Sequence, residues 1–124
     1  MAKIVIAGCR DFTDYEKASA FITQCLEFLE ESPVILCGGC RGADRLGERY
    51  AMEHRLPIEY YPADWKQFGN LAGPMRNETM ARICDYVICF WDGRSRGTAD
   101  MIRRGREHGK QVFIMSTLEE NSDA

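Results

Sequence analysis

The chain has 124 residues, of which 45% are hydrophobic and 28% are charged, so its size fits one globular domain with a single core. The formal net charge of −3 argues against binding of long nucleic acid, because the overall field repels polyanions. No apolar run approaches the roughly 20 residues that cross a bilayer, and the first run, at residues 4–7, is too short for a signal-peptide core. We therefore expect a soluble, cytoplasmic protein.

The six cysteines are interpreted as free thiols, since small buried cysteines are typical of reducing compartments. Three of them lie inside apolar patterns: Cys25, Cys84 and Cys89. Cys37 and Cys40 form a CxxC pair, which is compatible with a redox motif or with half of a zinc site. No second CxxC follows, and His54 and His108 fall at predicted helix ends, so four zinc ligands are not assembled. We expect neither a metal nor a cofactor.

Apolar runs rich in β-branched residues alternate with stretches of helical spacing along the whole chain. The runs predict five strands, at residues 4–7, 34–37, 58–61, 86–91 and 112–115. The first helix carries an apolar stripe from Tyr15 onwards, with Asp14 as its predicted cap. Three more helices are predicted at about residues 43–54, 74–84 and 98–108, with Pro74 as a first helical residue and Gly109 as a stop signal.

This alternation predicts an α/β domain of the Rossmann-like, doubly wound type. Short connections favour a five-stranded, mainly parallel sheet with helices on both faces, and right-handed crossovers favour strand order 3-2-1-4-5. The predicted domain covers residues 1–118, and residues 119–124 are interpreted as a flexible C-terminal tail.

Glycine, arginine and aspartate are concentrated directly after the predicted strands, where parallel sheets bind their ligands. Two of these loops, starting at Gly38 and at Asp92, open helices, and a helix start offers free N–H groups and a positive dipole end. Together they predict a phosphate cradle. A structural role stays open, because such turns also occur for geometry alone and arginine is most often a surface residue. The arginines concerned are Arg10, Arg41, Arg76, Arg94 and Arg96.

Two aromatic residues, Trp65 and Phe68, fall in a segment predicted to be irregular, between the third strand and the third helix. They can stack on a nucleotide base, as aromatic side chains do. They can equally close the edge of the core, and the sequence leaves both readings open.

Five blocks, in order along the chain, resemble the SLOG superfamily and, within it, the YspA-like group of standalone domains. The blocks cover residues 8–12, 39–44, 62–65, 72–77 and 91–98. The resemblance implies a Rossmann-like scaffold for nucleotide-derived ligands such as ADP-ribose. It also implies a more distant relation to the LOG phosphoribohydrolases and to DNA-processing protein A, which binds single-stranded DNA. A homodimer that pairs through helices beside the pocket is implied as well.

The LOG enzymes carry a PGGxGTxxE loop, whose glycine and threonine correspond to Gly97 and Thr98. That match implies phosphate binding at this helix start. The glutamate of the loop falls on Met101, and a thioether cannot transfer a proton in glycosidic cleavage. Asp100 is adjacent, but one helical residue is a rotation of about 100°, so we expect it to face elsewhere.

The same enzymes carry an RKxxM helix in which the arginine assists the reaction. This chain keeps Arg76 and Met80, with Asn77 in place of the lysine. The loops and the resemblance together predict one ligand site. Its predicted residues are Gly8, Arg10, Gly38, Gly39, Arg41, Gly42, Asp44, Asp64, Trp65, Arg76, Asn77, Asp92, Gly93, Ser95, Gly97 and Thr98.

Three functions are compatible with this pattern. The first is binding or sensing of a nucleotide-derived, phosphate-bearing ligand at the carboxyl edge of the sheet. The second is a hydrolase or transferase acting on a nucleotide or nucleotide sugar, with Asp44 or Asp92 as acid or base and Arg76 stabilising developing charge. The third is binding of single-stranded nucleic acid, with arginines along the backbone and Trp65 or Phe68 as stacking platforms. The acidic net charge disfavours the third.

Overall fold

The computed structural model describes residues 1–38 and 43–118, and the side chains of Ala43 and Asp44 lie outside that description. The predicted loop residues Gly39, Cys40, Arg41 and Gly42, and the predicted tail at residues 119–124, therefore lie outside the described residues.

Five strands form one parallel sheet, in the order β3-β2-β1-β4-β5. The strands are β1 (Ala2–Gly8), β2 (Pro33–Cys37), β3 (Ile58–Tyr60), β4 (Tyr86–Trp91) and β5 (Gln111–Ser116). The predicted Rossmann-like topology and strand order are confirmed. In this order the chain runs outward from β1 through β2 to β3 and then crosses to β4, so the sheet has its switch point between β1 and β4.

The helices between the strands cover both faces of the sheet. They are α1 (Tyr15–Leu26), α2 (Ala43–Glu53), α3 (Trp65–Phe68), α4 (Ala72–Ile83) and α5 (Arg96–Glu107), with a short 3-10 helix at Gly69–Leu71 between α3 and α4. Asp14 caps α1 as predicted, because its Oδ1 accepts a hydrogen bond of 3.2 Å from the backbone N–H of Lys17.

The segment before α4 departs from the prediction. Trp65 and Phe68 belong to the short helix α3 rather than to an irregular stretch. Pro74 is the third residue of α4, not the first. Proline is tolerated there because the N–H groups of a first helical turn have no intrahelical acceptor, so its missing N–H costs nothing.

Side chains alternate between the two faces of the central strands and so build two apolar layers. Ile4 and Ile6 of β1 face α1 and α2 and pack with Ile22, whereas Val5 faces α4 and α5 and packs with Met80. All five are almost completely buried, and burial of one such side chain stabilises the fold by about 1.5–3 kcal/mol.

Two glycines allow helices to lie unusually close to the sheet. A Cβ at Gly47 of α2 would stand 2.7 Å from Cγ2 of Ile6, and a Cβ at Gly105 of α5 would stand 3.1 Å from Cγ2 of Val112. The close approach of α5 fixes its axis against β4 and β5 and so fixes where its first turn lies. Among the described residues, no helix has the length and apolarity needed to cross a membrane.

Candidate functional site

A cleft of about 700 Å³ opens at the carboxyl ends of β1 and β4, between the beginnings of α4 and α5. This is the switch point of the sheet, where Rossmann-like domains bind their ligands. The volume lies within the range of about 300–1,000 Å³ that is usual for small-molecule sites. The predicted ligand residues that line it are Gly8, Arg10, Trp65, Arg76, Asn77, Asp92, Ser95, Gly97 and Thr98.

The segment after β1 forms one wall of the cleft. The backbone N–H of Cys9 donates to the carbonyl of Phe90 over 3.0 Å, which extends the pairing of β1 and β4 by one residue. Phe12 stacks on Phe90 with ring centroids 5.2 Å apart, and this contact anchors the loop to the core. Arg10 lies between these two anchors and is exposed. Among the described residues, Arg10 has no ion-pair partner.

The loop after β4 is held by the carboxylate of Asp92. Its Oδ1 accepts hydrogen bonds from the backbone N–H groups of Ser95 (2.7 Å) and Arg94 (2.8 Å). These two donors favour the charged form and lower the pKa of the Asp92 carboxyl. The indole N–H of Trp91 donates to the carbonyl of Ser95 over 3.1 Å. The loop is therefore ordered by its own side chains before α5 begins.

The first turn of α5 has no side-chain cap. The hydroxyl of Ser95, at the N-cap position, contacts Oγ1 of Thr98 at 3.2 Å instead of a backbone N–H. Among the described residues, no side chain accepts a hydrogen bond from the N–H groups of Arg96, Gly97 or Thr98. A helix start with free N–H groups and a positive dipole end favours an anion.

Arg76 and Asn77 of α4 connect the cleft to the neighbouring strands. The guanidinium of Arg76 donates through Nη1 to the carbonyls of Gly38 (2.7 Å) and Tyr61 (3.3 Å), and through Nε to Oδ1 of Asn77 (3.1 Å). Arg76 therefore joins the carboxyl ends of β2 and β3 to α4. The Nδ2 of Asn77 donates to the carbonyl of Gly97 over 3.3 Å, so α4 is also tied to the first turn of α5.

Asp100 lines the cleft, so the expectation that it faces elsewhere is wrong. Asp100 and Met101 both line the cleft, so the arc of α5 that the cleft follows is at least as wide as the rotation of about 100° between neighbouring residues. The Asp100 carboxylate accepts hydrogen bonds from Asn77, Arg103 and Arg104.

Met101 is the residue on which the resemblance to the LOG enzymes places their glutamate. It is 1% exposed, packs with Val5 and Met80 in the layer under α4 and α5, and lines the cleft. The wall of the cleft is therefore apolar at this position, and no proton donor or acceptor is present there.

The indole of Trp65 borders the cleft and is half exposed. A Cβ at Gly73 would stand 3.2 Å from Cη2 of Trp65, so the glycine leaves room for the ring against α4. Asp64 caps α3 by accepting a hydrogen bond of 3.1 Å from the N–H of Gln67. This cap fixes the beginning of α3, where Trp65 is the first residue. The sequence did not assign Gly73 to the site. Its role depends on contact with Trp65, which lies in α3, and that helix was not predicted.

Three other predicted residues border the site without lining the cleft. Gly38 contributes its carbonyl to Arg76, Asp64 caps α3, and Gly93 adopts a φ of +80° in the loop before α5. Gly39, Arg41 and Gly42 lie outside the described residues, as does the side chain of Asp44. Within the described part of the chain, no cluster of three or more His, Cys, Asp or Glu side chains can hold a metal ion.

The order of the sheet and the cleft at its switch point define a Rossmann-like α/β domain. The chain belongs to the YspA, cpYpsA-related SLOG family, whose model matches residues 2–68. The suspected SLOG relationship is thereby confirmed.

Two known proteins are similar to the chain over nearly its whole length. It is 31% identical over 119 residues to the Gene 61 protein of Mycobacterium phage D29. The alignment covers 91% of this chain and 95% of that protein. It superposes on the X-ray structure of DNA processing protein A from Streptococcus pneumoniae with a TM-score of 0.75 at 18% identity, covering 99% of this chain. The chain spans about half of that structure, 52% of its length, and this likeness shows the fold.

Proposed function

We propose that this protein binds or senses a nucleotide-derived, phosphate-bearing ligand in the cleft between β1 and β4. The observation that carries the proposal is the uncapped first turn of α5, which lines the same cleft as Arg10 and Arg96. Backbone N–H groups at a helix start and guanidinium groups are the two donor types that proteins most often use for phosphate. Within the described part of the chain, Arg10 and Arg96 have no ion-pair partner, so both are available to a ligand.

Trp65 supports a ligand that carries an aromatic base. Trp65 is 50% exposed and lines the same cleft as the first turn of α5. Stacking of a base on this ring would leave the phosphates towards α5, and base stacking on an aromatic side chain is worth about 1–3 kcal/mol. A nucleotide, an ADP-ribose-type molecule or a nucleotide sugar has both parts.

We favour binding over cleavage because two carboxylates of the cleft, those of Asp92 and Asp100, are already engaged. Asp92 accepts hydrogen bonds from two backbone N–H groups, and these lower its pKa, so near neutral pH it is ionised and has no proton to donate as a general acid. Asp100 is paired with Arg103 and Arg104. Met101 occupies the position of the glutamate in the related hydrolases. A LOG-like hydrolase stays the alternative, and an assay for ligand breakdown separates the two.

The test is a thermal-shift and calorimetric screen with AMP, ADP, ADP-ribose, cyclic ADP-ribose and UDP-glucose, followed by chromatography of each mixture. A ligand at 100 times its Kd stabilises the fold by about 2.7 kcal/mol, which is several degrees for a domain of this size. A shift with intact ligand supports sensing, and a shift with cleavage supports the hydrolase. If none of the probes shifts the transition, the proposal fails.

Two arginines on the same helix provide a matched pair for this screen. Arg96 is the first residue of α5 and lines the cleft, whereas Arg106 lies exposed in the last turn. Arg96→Gln is expected to weaken binding of the ligand found in the screen about tenfold, a typical loss for a charged contact to phosphate. Arg106→Gln makes the same change of net charge and is expected to leave the Kd within about twofold, because surface charges at a distance are screened.

Binding of single-stranded nucleic acid is the second candidate. It draws on the half-exposed Trp65 next to Arg10 and Arg96, and on the fold shared with a DNA processing protein. Titration with a fluorescent oligothymidylate at several salt concentrations tests it, since each neutralised phosphate adds about −0.7 to the slope of log K against log salt. Absence of binding at low salt would exclude this candidate.

A further inference from the structure

We propose that Arg104 is a positioning residue of the cleft, and that its ion pair with Asp100 keeps the beginning of α5 receptive to an anion. The inference rests on the proposed phosphate site and specifies how the charge of that site is set. Asp100 lines the cleft, whereas Arg104 lies behind it and lines a neighbouring groove. Arg104 therefore acts through Asp100 and not by touching the ligand.

The Asp100 carboxylate is compensated by a closed set of donors. Nε of Arg104 lies 2.9 Å from Oδ2 and 3.0 Å from Oδ1, and Nη2 of Arg103 lies 2.8 Å from Oδ1. Nδ2 of Asn77 donates to Oδ2 over 3.0 Å. The side chain of Asp100 is 18% exposed and that of Arg104 is 22% exposed, so solvent screens this pair less than a surface pair.

The charge balance matters because Asp100 is close to the proposed phosphate position. A bare carboxylate on the cleft wall would oppose an anionic ligand, and Coulomb interactions over several ångströms are substantial in a partly buried site. Arg103 offsets this charge less than Arg104 does, because the side chain of Arg103 is 53% exposed and that of Arg104 is 22% exposed, so solvent screens Arg103 more. Arg104 is itself held by a second acid, since its Nη1 donates to Oε1 of Glu78 over 3.0 Å.

Asn77 transmits the position of Asp100 to the first turn of α5. Its amide orientation is dictated by its neighbours, because Nε of Arg76 can only donate and the Asp100 carboxylate can only accept. The same Nδ2 also donates to the carbonyl of Gly97. The ion pair of Arg104 and Asp100 therefore fixes the side-chain amide of Asn77, and this amide in turn binds the first turn of α5.

A double-mutant cycle in the intact chain tests this role, with inorganic pyrophosphate and ADP-ribose as calorimetric probes. Arg104→Gln is expected to weaken binding on the order of tenfold, because it removes the less exposed of the two cations that offset the Asp100 charge and leaves only the exposed Arg103. Asp100→Asn removes that charge and is expected to tighten binding severalfold. The double variant is expected to return to within about threefold of wild type. Arg103→Gln is the matched control, with an expected loss of about twofold.

The pattern of signs separates charge setting from a loss of packing. If both single variants weaken binding and the double variant is weaker still, the pair has only a structural role and the inference fails. Unchanged binding by Arg104→Gln overturns the inference alone, whereas failure of the wild-type chain to bind either probe or any ligand of the screen overturns the proposed function with it. If Arg104→Gln does not fold, Asp100→Asn and the double variant decide, because weakened binding in both contradicts the inference.

Discussion

Gly97 lies in the first turn of α5 and lines the cleft, and a Cβ built there meets no described atom within 4 Å. Gly97→Ala is therefore expected to leave the free energy of unfolding unchanged or to raise it by about 0.4–1 kcal/mol, because alanine restricts the unfolded chain. Binding of the ligand is expected to weaken about tenfold, since the methyl group occupies the space through which a phosphate approaches the N–H groups. Urea denaturation and calorimetry measure the two quantities separately.

Gly105, in the same helix, is the control for Gly97. A Cβ there stands 3.1 Å from Cγ2 of Val112 and 3.2 Å from Cγ2 of Val87, so Gly105→Ala overpacks the layer between α5 and the sheet at a cost of about 1–3 kcal/mol. Its affinity for the ligand is expected to stay near that of wild type. A Gly97→Ala protein with lower stability and unchanged affinity would contradict the assignment of Gly97 to the binding surface.

Asp92 allows loop order to be separated from proton transfer. Asp92→Asn keeps an acceptor oxygen for the N–H groups of Ser95 and Arg94, so we expect the loop to stay ordered and the affinity at pH 7 not to fall, whereas Asp92→Ala is expected to weaken binding by releasing the loop. The pKa of this carboxyl is lowered in the folded chain. Its contribution to stability is thus present above its unfolded pKa of about 3.9 and is lost as the pH falls through the lower folded value.

Acid denaturation followed by circular dichroism measures that contribution. The wild-type chain is expected to lose stability below about pH 4 more steeply than Asp92→Asn, which has no proton to take up at this position. Loss of ligand turnover in Asp92→Asn, with binding intact, would instead assign Asp92 to catalysis.

At the scale of elements, Arg76 is expected to stabilise the joint between α4 and the ends of β2 and β3. Arg76→Lys retains the charge but not the planar fork that reaches the Gly38 and Tyr61 carbonyls together with Asn77. We expect a loss of about 1–3 kcal/mol in the free energy of unfolding, and weaker ligand binding. Arg82→Lys is the control on the same helix, because Arg82 is 69% exposed. Equal stabilities of the two variants would contradict this role.

The sequence predicts the sheet and its four longer helices well, because their periodic patterns extend over whole elements. It misses α3 and the 3-10 helix, since four and three residues are too few to show a period. Residues after β1 and β4 could be assigned to one site because parallel strands end at one edge. Asn77 entered only through the resemblance to the SLOG superfamily. The prediction that Asp100 faces away from the site was wrong because the position of the cleft depends on α4. This helix packs against α5 from a distant part of the chain.

At the scale of the whole molecule, we propose that the expected homodimer forms through the apolar surface beside the cleft. Leu71 is 66% exposed and Met75 is 44% exposed, and with Pro74 they line a groove of about 360 Å³ on the outer side of α4. Burying such side chains against a second copy removes apolar area from water, which drives association. A protein of net charge −3 meets only modest repulsion when two copies approach.

Analytical ultracentrifugation of two methionine variants tests this surface. Met75→Glu places a charge in the groove and is expected to shift the protein towards monomer, with association at least about tenfold weaker. Met52→Glu makes the same change on α2, where Met52 is 67% exposed, and is expected to associate like wild type.

Pro74 lines both the groove and the cleft, so pairing there is expected to be linked to the ligand. Such linkage is reciprocal: if ligand binding raises the dimerisation constant by a given factor, dimerisation raises the ligand affinity by the same factor. A monomeric wild-type chain, or equal association of the two variants, would show that this face is not the interface.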